Sequence, residues 1–300
     1  MPDRPLRHGP AGRPRGEDSL RSLTVPAPAK LNLFLHVTGR RSDGYHILES
    51  LFVALDFGDT LALTRRDDGA IVRTSGAPGV AVEADLAVRA ARALQQETAT
   101  GYGVDIAIDK RIPQGGGLGG GSSDAATVLL ALNRLWRLGL SREALMRIGL
   151  TLGADVPFFV FGAPAIVRGI GERLTAVSLP PLWVSVLVSP IAVATASIFA
   201  APELTRATPS VKMDVFSEGY GRNDLQTVAV ARFPDIATTL ARLALRSPTA
   251  RMTGSGGCVF AWFASEAEAA AALAAVKDAA PGARGFVART LARHPLAAFA

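Results

Sequence analysis

Cysteine is almost absent: Cys258 is the only one in 300 residues. No intrachain disulfide and no cysteine-built zinc site can exist, and a reducing, cytoplasmic compartment is the expectation. Histidine is scarce too. His8, His36, His46 and His294 show no H-x-x-x-H spacing, which argues against a histidine-built metal site. Only four of the 32 basic residues are lysine (Lys30, Lys110, Lys212 and Lys277), and the rest are scattered arginines. There is no dense basic block and no aromatic-basic RNP-type motif, so the net charge of +6 does not point to nucleic acid. Dispersed arginine suits an anionic small molecule at least as well. Residues 1–22 lack an apolar leader core, and a flexible tail rather than a signal peptide is expected. The stretch from Leu174 to Pro202 carries no formal charge, but Pro180, Pro181 and Pro190 cut it into pieces shorter than the ~20 residues a spanning helix needs. No membrane span is expected.

What is present is material for a core. Apolar residues make up 49% and charged residues 19%, which excludes disorder, and the length suggests about two domains. Leu31, Leu33, Leu35 and Val37 alternate with Lys30, Asn32, Phe34 and His36, so a strand is expected over 30–38 with Lys30 and Asn32 on one face. Shorter strands are expected at 51–55, 60–64, 70–73 and 104–108. Asp85 is placed to cap a helix over 86–97, and Ser141 to cap another. The second half restarts with a strand at 182–188, helices near 224–232 and 235–245, and strand–turn–strand over 251–263. A Ser265/Glu268 capping box then opens a helix, and a strand at 285–291 closes the chain. This alternation reads as α+β in two layered domains.

The most unusual segment is Pro113-Gln114-Gly115-Gly116-Gly117-Leu118-Gly119-Gly120-Gly121-Ser122-Ser123, followed by a helix expected from Asp124. So many glycines carry an entropic penalty that needs a reason, and close approach of backbone N–H groups to a phosphate at a helix N-terminus supplies one. No G-K-[ST] follows, so this is not a Walker A loop, and the setting does not suit a dinucleotide-binding βαβ unit. The bland alternative is a flexible linker, which would not normally lie between a strand and an apolar capped helix.

Three ordered motifs resemble those of the GHMP small-molecule kinases: Pro28-Ala29-Lys30-Leu31-Asn32-Leu33, the glycine loop, and Thr253-Gly254-Ser255-Gly256-Gly257. The flanks Gly44-Tyr45-His46, Gly153-Ala154-Asp155-Val156-Pro157-Phe158-Phe159 and Arg222-Asn223-Asp224 resemble a branch of that family that acts on a cytidyl diphosphate substrate in non-mevalonate isoprenoid synthesis. The resemblance implies a two-domain fold, with an N-terminal domain like the second domain of ribosomal protein S5 and a ferredoxin-like C-terminal domain. The expected division is a tail 1–22, an ATP- and substrate-binding domain 23–165 and a C-terminal domain 166–300. It also implies ATP and Mg2+ as cofactors and γ-phosphoryl transfer to the 2-hydroxyl of a methylerythritol unit. A monomer or homodimer is expected.

The resemblance gives roles residue by residue. Lys30 polarises the substrate hydroxyl and neutralises charge; its bland alternative is a strand-end lysine in solvent. Asp155 is the candidate general base, with Lys30 as its partner; otherwise it is a helix cap. Residues 113–123 hold ATP, with Ser122 also a candidate Mg2+ contact, while Asp124 caps the helix. Asn32 hydrogen-bonds the substrate or is a polar edge residue. Tyr45 and His46 take the cytosine ring, with Thr195 and Phe199 opposite; Phe199 would otherwise be core. Two rival functions remain: another GHMP kinase, acting on homoserine, mevalonate or a sugar, and a non-catalytic RNA-binding relative.

Overall fold

Two long antiparallel strands form the spine, β1 (Ser22–Arg40) and β2 (His46–Arg66). The structure is a computed structural model that describes residues 20–189, 191, 193–210, 221–280 and 283–300. Pro190 and nearly all of the expected tail lie outside the described residues. β1 extends the expected strand at both ends, and β2 fuses two strands expected to be separate. Gly58 makes the fusion possible. It pairs with Pro28, and a Cβ there would lie 2.2 Å from the Ala27 carbonyl oxygen, so only glycine lets the ladder run on. A register shift between Pro28 and Lys30 takes up the irregularity.

β3 (Ile71–Ser75) and β4 (Gly103–Asp109) pair in parallel, joined through α1 (Leu86–Thr98). Asp85 caps α1 as expected, accepting from the Ala87 N–H at 2.9 Å. α2 (Gly120–Leu135), α3 (Arg142–Leu152) and α4 (Val156–Phe161) cover the same sheet, and Leu61, Leu94, Ile106, Leu129 and Phe159 meet in a core with no solvent exposure to speak of. α2 starts four residues earlier than the sequence suggested. Gly119, at φ 74°, supplies the left-handed turn at its N-cap, and Asp124 is not a cap at all. β5 (Ala165–Gly169) pairs with β2 and with β6 (Arg173–Ala176), so the hydrogen-bonded sheet of the first half runs past residue 165.

The second half contains β7 (Trp183–Val188), α5 (Thr195–Phe199), α6 (Asp224–Arg232), α7 (Pro234–Ala244), β8 (Arg251–Met252), β9 (Cys258–Phe263), α8 (Glu266–Ala279) and β10 (Arg284–Leu291). The order β10-β7-β9-β8, with helices between β7 and β8 and between β9 and β10, is the ferredoxin-like β-α-β-β-α-β pattern. The Ser265/Glu268 capping box opens α8. β10 also meets β2 through Thr290–Leu55 and Leu291–Ala54, which joins both halves into one sheet. Leu31, Leu51 and Val53 from β1 and β2 share a core with Val184, Val186 and Phe260, so the halves are welded by apolar contact as well.

Candidate active site

Lys30 reaches from β1 into an open cavity of about 690 Å³ between the two halves. Its side chain is almost wholly buried, with Nζ 2.7 Å from Asn32 Oδ1, 3.3 Å from Asp155 Oδ2 and 4.4 Å from the centre of the Phe52 ring. A strand-end lysine in solvent is therefore not what is found. Asp155 holds the N-cap position of α4, but its side chain makes no capping bond and stays one-third exposed to the cavity. Its carboxylate is left facing Lys30.

Asn32 is the hinge of this arrangement. Its amide oxygen accepts from Lys30 and, at 3.3 Å, from Thr253 Oγ1; its amide nitrogen donates to Ser50 Oγ at 2.9 Å. Its backbone N–H donates to Thr253 Oγ1 at 2.9 Å. The first and third motifs are thus tied together behind Lys30. Thr253 heads the third motif, but its contact with Asn32 was not read from the sequence; Ser50 was missed altogether, because it belongs to no chemistry-bearing pattern until β2 brings it to Asn32. Arg222-Asn223-Asp224 braces the same seam. Asn223 donates to the carbonyls of Met252 and Gly254, and Asp224 accepts from the Val37 N–H.

The glycine loop lines a second cavity, of about 270 Å³, through all nine residues Pro113–Gly121. Gly117 and Gly119 line both cavities, so the loop is the wall between them. Gly117, at φ 76°, would place a Cβ 2.5 Å from the Thr253 carbonyl oxygen; the two glycine-rich motifs touch backbone to backbone. The Lys30 N–H donates to the Leu118 carbonyl at 2.9 Å and fixes the loop against β1. The first N–H groups of α2 have no carbonyl four residues back, and Gly120 and Gly121 line this cavity. Ser122 and Ser123 line neither cavity. Ser122 is half-buried with its hydroxyl beside Gly153, and Ser123 is fully buried.

Beneath the loop lies a cluster the sequence reading did not assemble. Lys110 Nζ donates to Asp124 Oδ2 at 2.7 Å and to Asp59 Oδ2, while Asp59 Oδ1 accepts the N–H groups of Arg111 at 2.5 Å and Ile112 at 2.8 Å. Burial works against the Lys110 ammonium, yet the two carboxylates outweigh it and hold the group above the usual lysine range. Burial, with the Asp59 charge beside it, pushes the Asp124 carboxyl up to about 7 despite the pull of Lys110. Asp59 has the extra backbone donors, so Asp124 is the carboxylate that takes the proton. The signal available was the rarity of lysine; nothing marked Asp59.

At the far end of the larger cavity stand Tyr45, His46, Thr195 and Phe199. The His46 and Phe199 ring centres are 4.9 Å apart, Tyr45 is exposed, and Thr195 Oγ1 is 2.6 Å from Ser255 Oγ in the third motif. Burial first, then the Arg206 and Arg40 charges, hold the His46 imidazole below its usual range and so neutral near pH 7. Cys258 packs as an apolar group under Gly116, its thiol pushed up to about 12 by burial. Among the described residues no cluster of three or more His, Cys, Asp or Glu could hold a metal ion, and no helix is long and apolar enough to cross a membrane.

Family models for the GHMP kinases N terminal domain and the GHMP kinases C terminal match residues 85–163 and 212–282. The chain belongs to the GHMP kinase family. It is 56% identical over 275 residues to the 4-diphosphocytidyl-2-C-methyl-D-erythritol kinase of Thiobacillus denitrificans, covering 92% of this chain and 98% of that one. A crystal structure of 4-(cytidine 5'-diphospho)-2C-methyl-D-erythritol kinase superposes with a TM-score of 0.78 at 33% identity, covering 89% of this chain and 99% of that one. Homoserine kinase from Cytophaga hutchinsonii shares the fold alone, with a TM-score of 0.65 at 17% identity over 94% and 98% of the two chains. As a family member the chain is an ATP-using small-molecule kinase, and the α+β two-part fold is the family's.

Proposed function

We propose that the chain transfers the γ-phosphoryl group of ATP to the 2-hydroxyl of 4-diphosphocytidyl-2-C-methyl-D-erythritol. The carrying observation is one continuous cavity lined by Lys30 and Asp155 and also by Tyr45, His46 and Phe199, which shares Gly117 and Gly119 with the glycine-loop cavity. An acceptor with a ring at one end and a hydroxyl at the other suits the first cavity, and the nucleotide phosphates suit the backbone N–H groups of the second. In this reading Asp155 accepts the hydroxyl proton as the oxygen attacks the γ-phosphorus and ADP leaves. Lys30, held by Asn32, offsets the charge gathering on the transferring group.

Mg2+ belongs to the same reading. The donors near the loop are hard oxygens, the Ser122 hydroxyl in the first turn of α2 and the Asp155 carboxylate two residues beyond Gly153. That fits an ion that keeps much of its water and takes most of its other ligands from phosphate. When bound, Mg2+ would supply charge neutralisation to the nucleotide phosphates. The chain's own residues hold the acceptor oxygen and remove its proton. Placement in the cytoplasm fits the single, buried Cys258.

The test is ADP release with ATP, Mg2+ and the cytidyl substrate, with the new phosphate located by phosphorus NMR. Stoichiometric transfer to the 2-hydroxyl is expected. Turnover of homoserine or mevalonate with the cytidyl substrate inert would replace this reading with another acceptor.

A further inference from the structure

Arg206 holds the ring-binding end of the larger cavity together, and no motif in the sequence marks it. Its Nε donates to His46 Nε2 at 3.1 Å. Its Nη2 donates to the carbonyls of Phe199 at 3.1 Å and Ala201 at 2.5 Å, and its Nη1 to Leu204 at 3.0 Å and, more weakly, Pro202 at 3.4 Å. The carbonyls of Phe199 and Ala201 lie at the C-terminal end of α5, where helix carbonyls lack partners of their own. One guanidinium therefore fixes both His46 and the segment that presents Phe199. All five of its donors are used.

A guanidinium has no acceptor and keeps its protons in proteins. The histidine nitrogen that faces it must be the bare one. His46 then carries its single proton on Nδ1, the less common tautomer of a free imidazole, and Nδ1 has no hydrogen-bond partner among the described residues. We infer that Arg206 is a positioning residue that sets base specificity: by locking the His46 proton on Nδ1, it makes this subsite offer a donor and so select a pyrimidine with a ring acceptor. Cytosine N3 is an acceptor, whereas uracil N3 carries a hydrogen and would meet the Nδ1–H donor to donor. The inference rests on the proposed cytidyl substrate and names the feature of the chain that chooses cytosine over uracil.

The first measurement needs no variant of Arg206. Nitrogen-15 NMR of histidine-labelled protein, with the His46 signals assigned by their loss in His46→Gln, should show Nδ1 protonated and Nε2 bare. A His46 protonated on Nε2 overturns the inference whatever the enzyme does. The second measurement compares cytidyl and uridyl substrates. The wild type should favour the cytidyl form in kcat/KM by tenfold or more, on the order of one well-made hydrogen bond. In Arg206→Met the His46 proton should move toward Nε2 and the KM for the cytidyl substrate should rise about tenfold, with the KM for ATP unchanged. The cytidyl preference should shrink. Arg206→Lys, which keeps a cationic donor, should recover part of the tautomer and of the preference. If Arg206→Met weakens both substrates equally and leaves the tautomer alone, Arg206 is only a brace for α5. A wild type inert toward both nucleotide-linked alcohols would instead sink the proposed reaction, and the spectrum would still decide the tautomer.

Discussion

Lys30 and Lys110 lie on opposite sides of one glycine loop, each beside aspartate. A Cβ on Gly119 would sit 3.0 Å from Lys30 Cγ, and one on Gly120 3.3 Å from Lys110 Nζ. Their carboxylates are held in opposite ways. Asp155 faces Lys30 across 3.3 Å, makes no capping bond and is open to the acceptor cavity. Asp59 is sealed, with two backbone N–H groups and an ammonium on it, and Asp124 shares that ammonium. Asp59 is tied to the root of the loop by three partners and lies away from the acceptor cavity. Asp124 resembles Asp155 in having one partner, its Oδ1 being unpaired among the described residues, but it is buried and does not line the acceptor cavity. Residue type and pairing are the same on both sides; access to the acceptor cavity separates reaction from support.

The largest expected effect tests the reactive side. Asp155→Asn should lower kcat by about two to four orders of magnitude, with ATP affinity close to normal. Since the carboxylate is partly solvated, unfolding free energy should change by about 1 kcal/mol. Turnover near the wild-type rate would return Asp155 to an electrostatic or structural part. The supporting side should respond the other way. Lys110→Met leaves two carboxylates buried with no cation and should cost about 3 kcal/mol or more of stability in urea or thermal unfolding. A variant as stable as the parent would mean the cluster does not hold the root of the loop.

The reactive side was largely legible in the sequence and the supporting side was not, for a physical reason. Phosphate-binding glycines, a lysine in an apolar strand and an aspartate among phenylalanines are local anomalies, visible because each breaks the pattern around it. Asp59 and Asp124 break no pattern. Their meaning comes from a lysine 51 residues from one and 14 from the other, placed by the β2–β4 register. The same distinction explains the fold. Caps at Asp85, Ser141 and Ser265 depend on neighbours two or three residues away and were found. The fusion of two short strands into β2 depends on Gly58 meeting Ala27 across the ladder, which periodicity does not record. Arg206 belongs with the second group, since its partner His46 is 160 residues away.

A smaller effect sharpens the contrast through pH. The Asp124 carboxyl titrates near 7 in the folded chain, against an ordinary value near 4 when unfolded. A raised folded value means that its contribution to stability is fully present below the unfolded value and is lost as pH rises to about 7. Asp124→Asn removes that dependence. The stability of the variant relative to the parent should therefore climb from pH 4 to pH 7 and level off above it, as read from urea unfolding at each pH. A constant difference across that range would place the proton elsewhere in the cluster.

The smallest effect separates two adjacent serines that looked alike in the sequence. Ser123 is fully buried, and its hydroxyl has no hydrogen-bond partner among the described residues; Ser122 is half-buried at the mouth of the first turn of α2. An unpaired buried hydroxyl destabilises the folded state, so Ser123→Ala should stabilise the chain by roughly 1 kcal/mol and raise Tm by a few degrees. The KM for ATP should not move, because the Ser123 side chain is fully buried whereas that of Ser122 is not. Ser122→Ala should do the reverse, leaving Tm in place and weakening ATP binding in the presence of Mg2+. If Ser123→Ala loses ATP affinity instead, its hydroxyl turns outward when the nucleotide binds, and the first turn of α2 rearranges around the phosphates rather than waiting for them preformed.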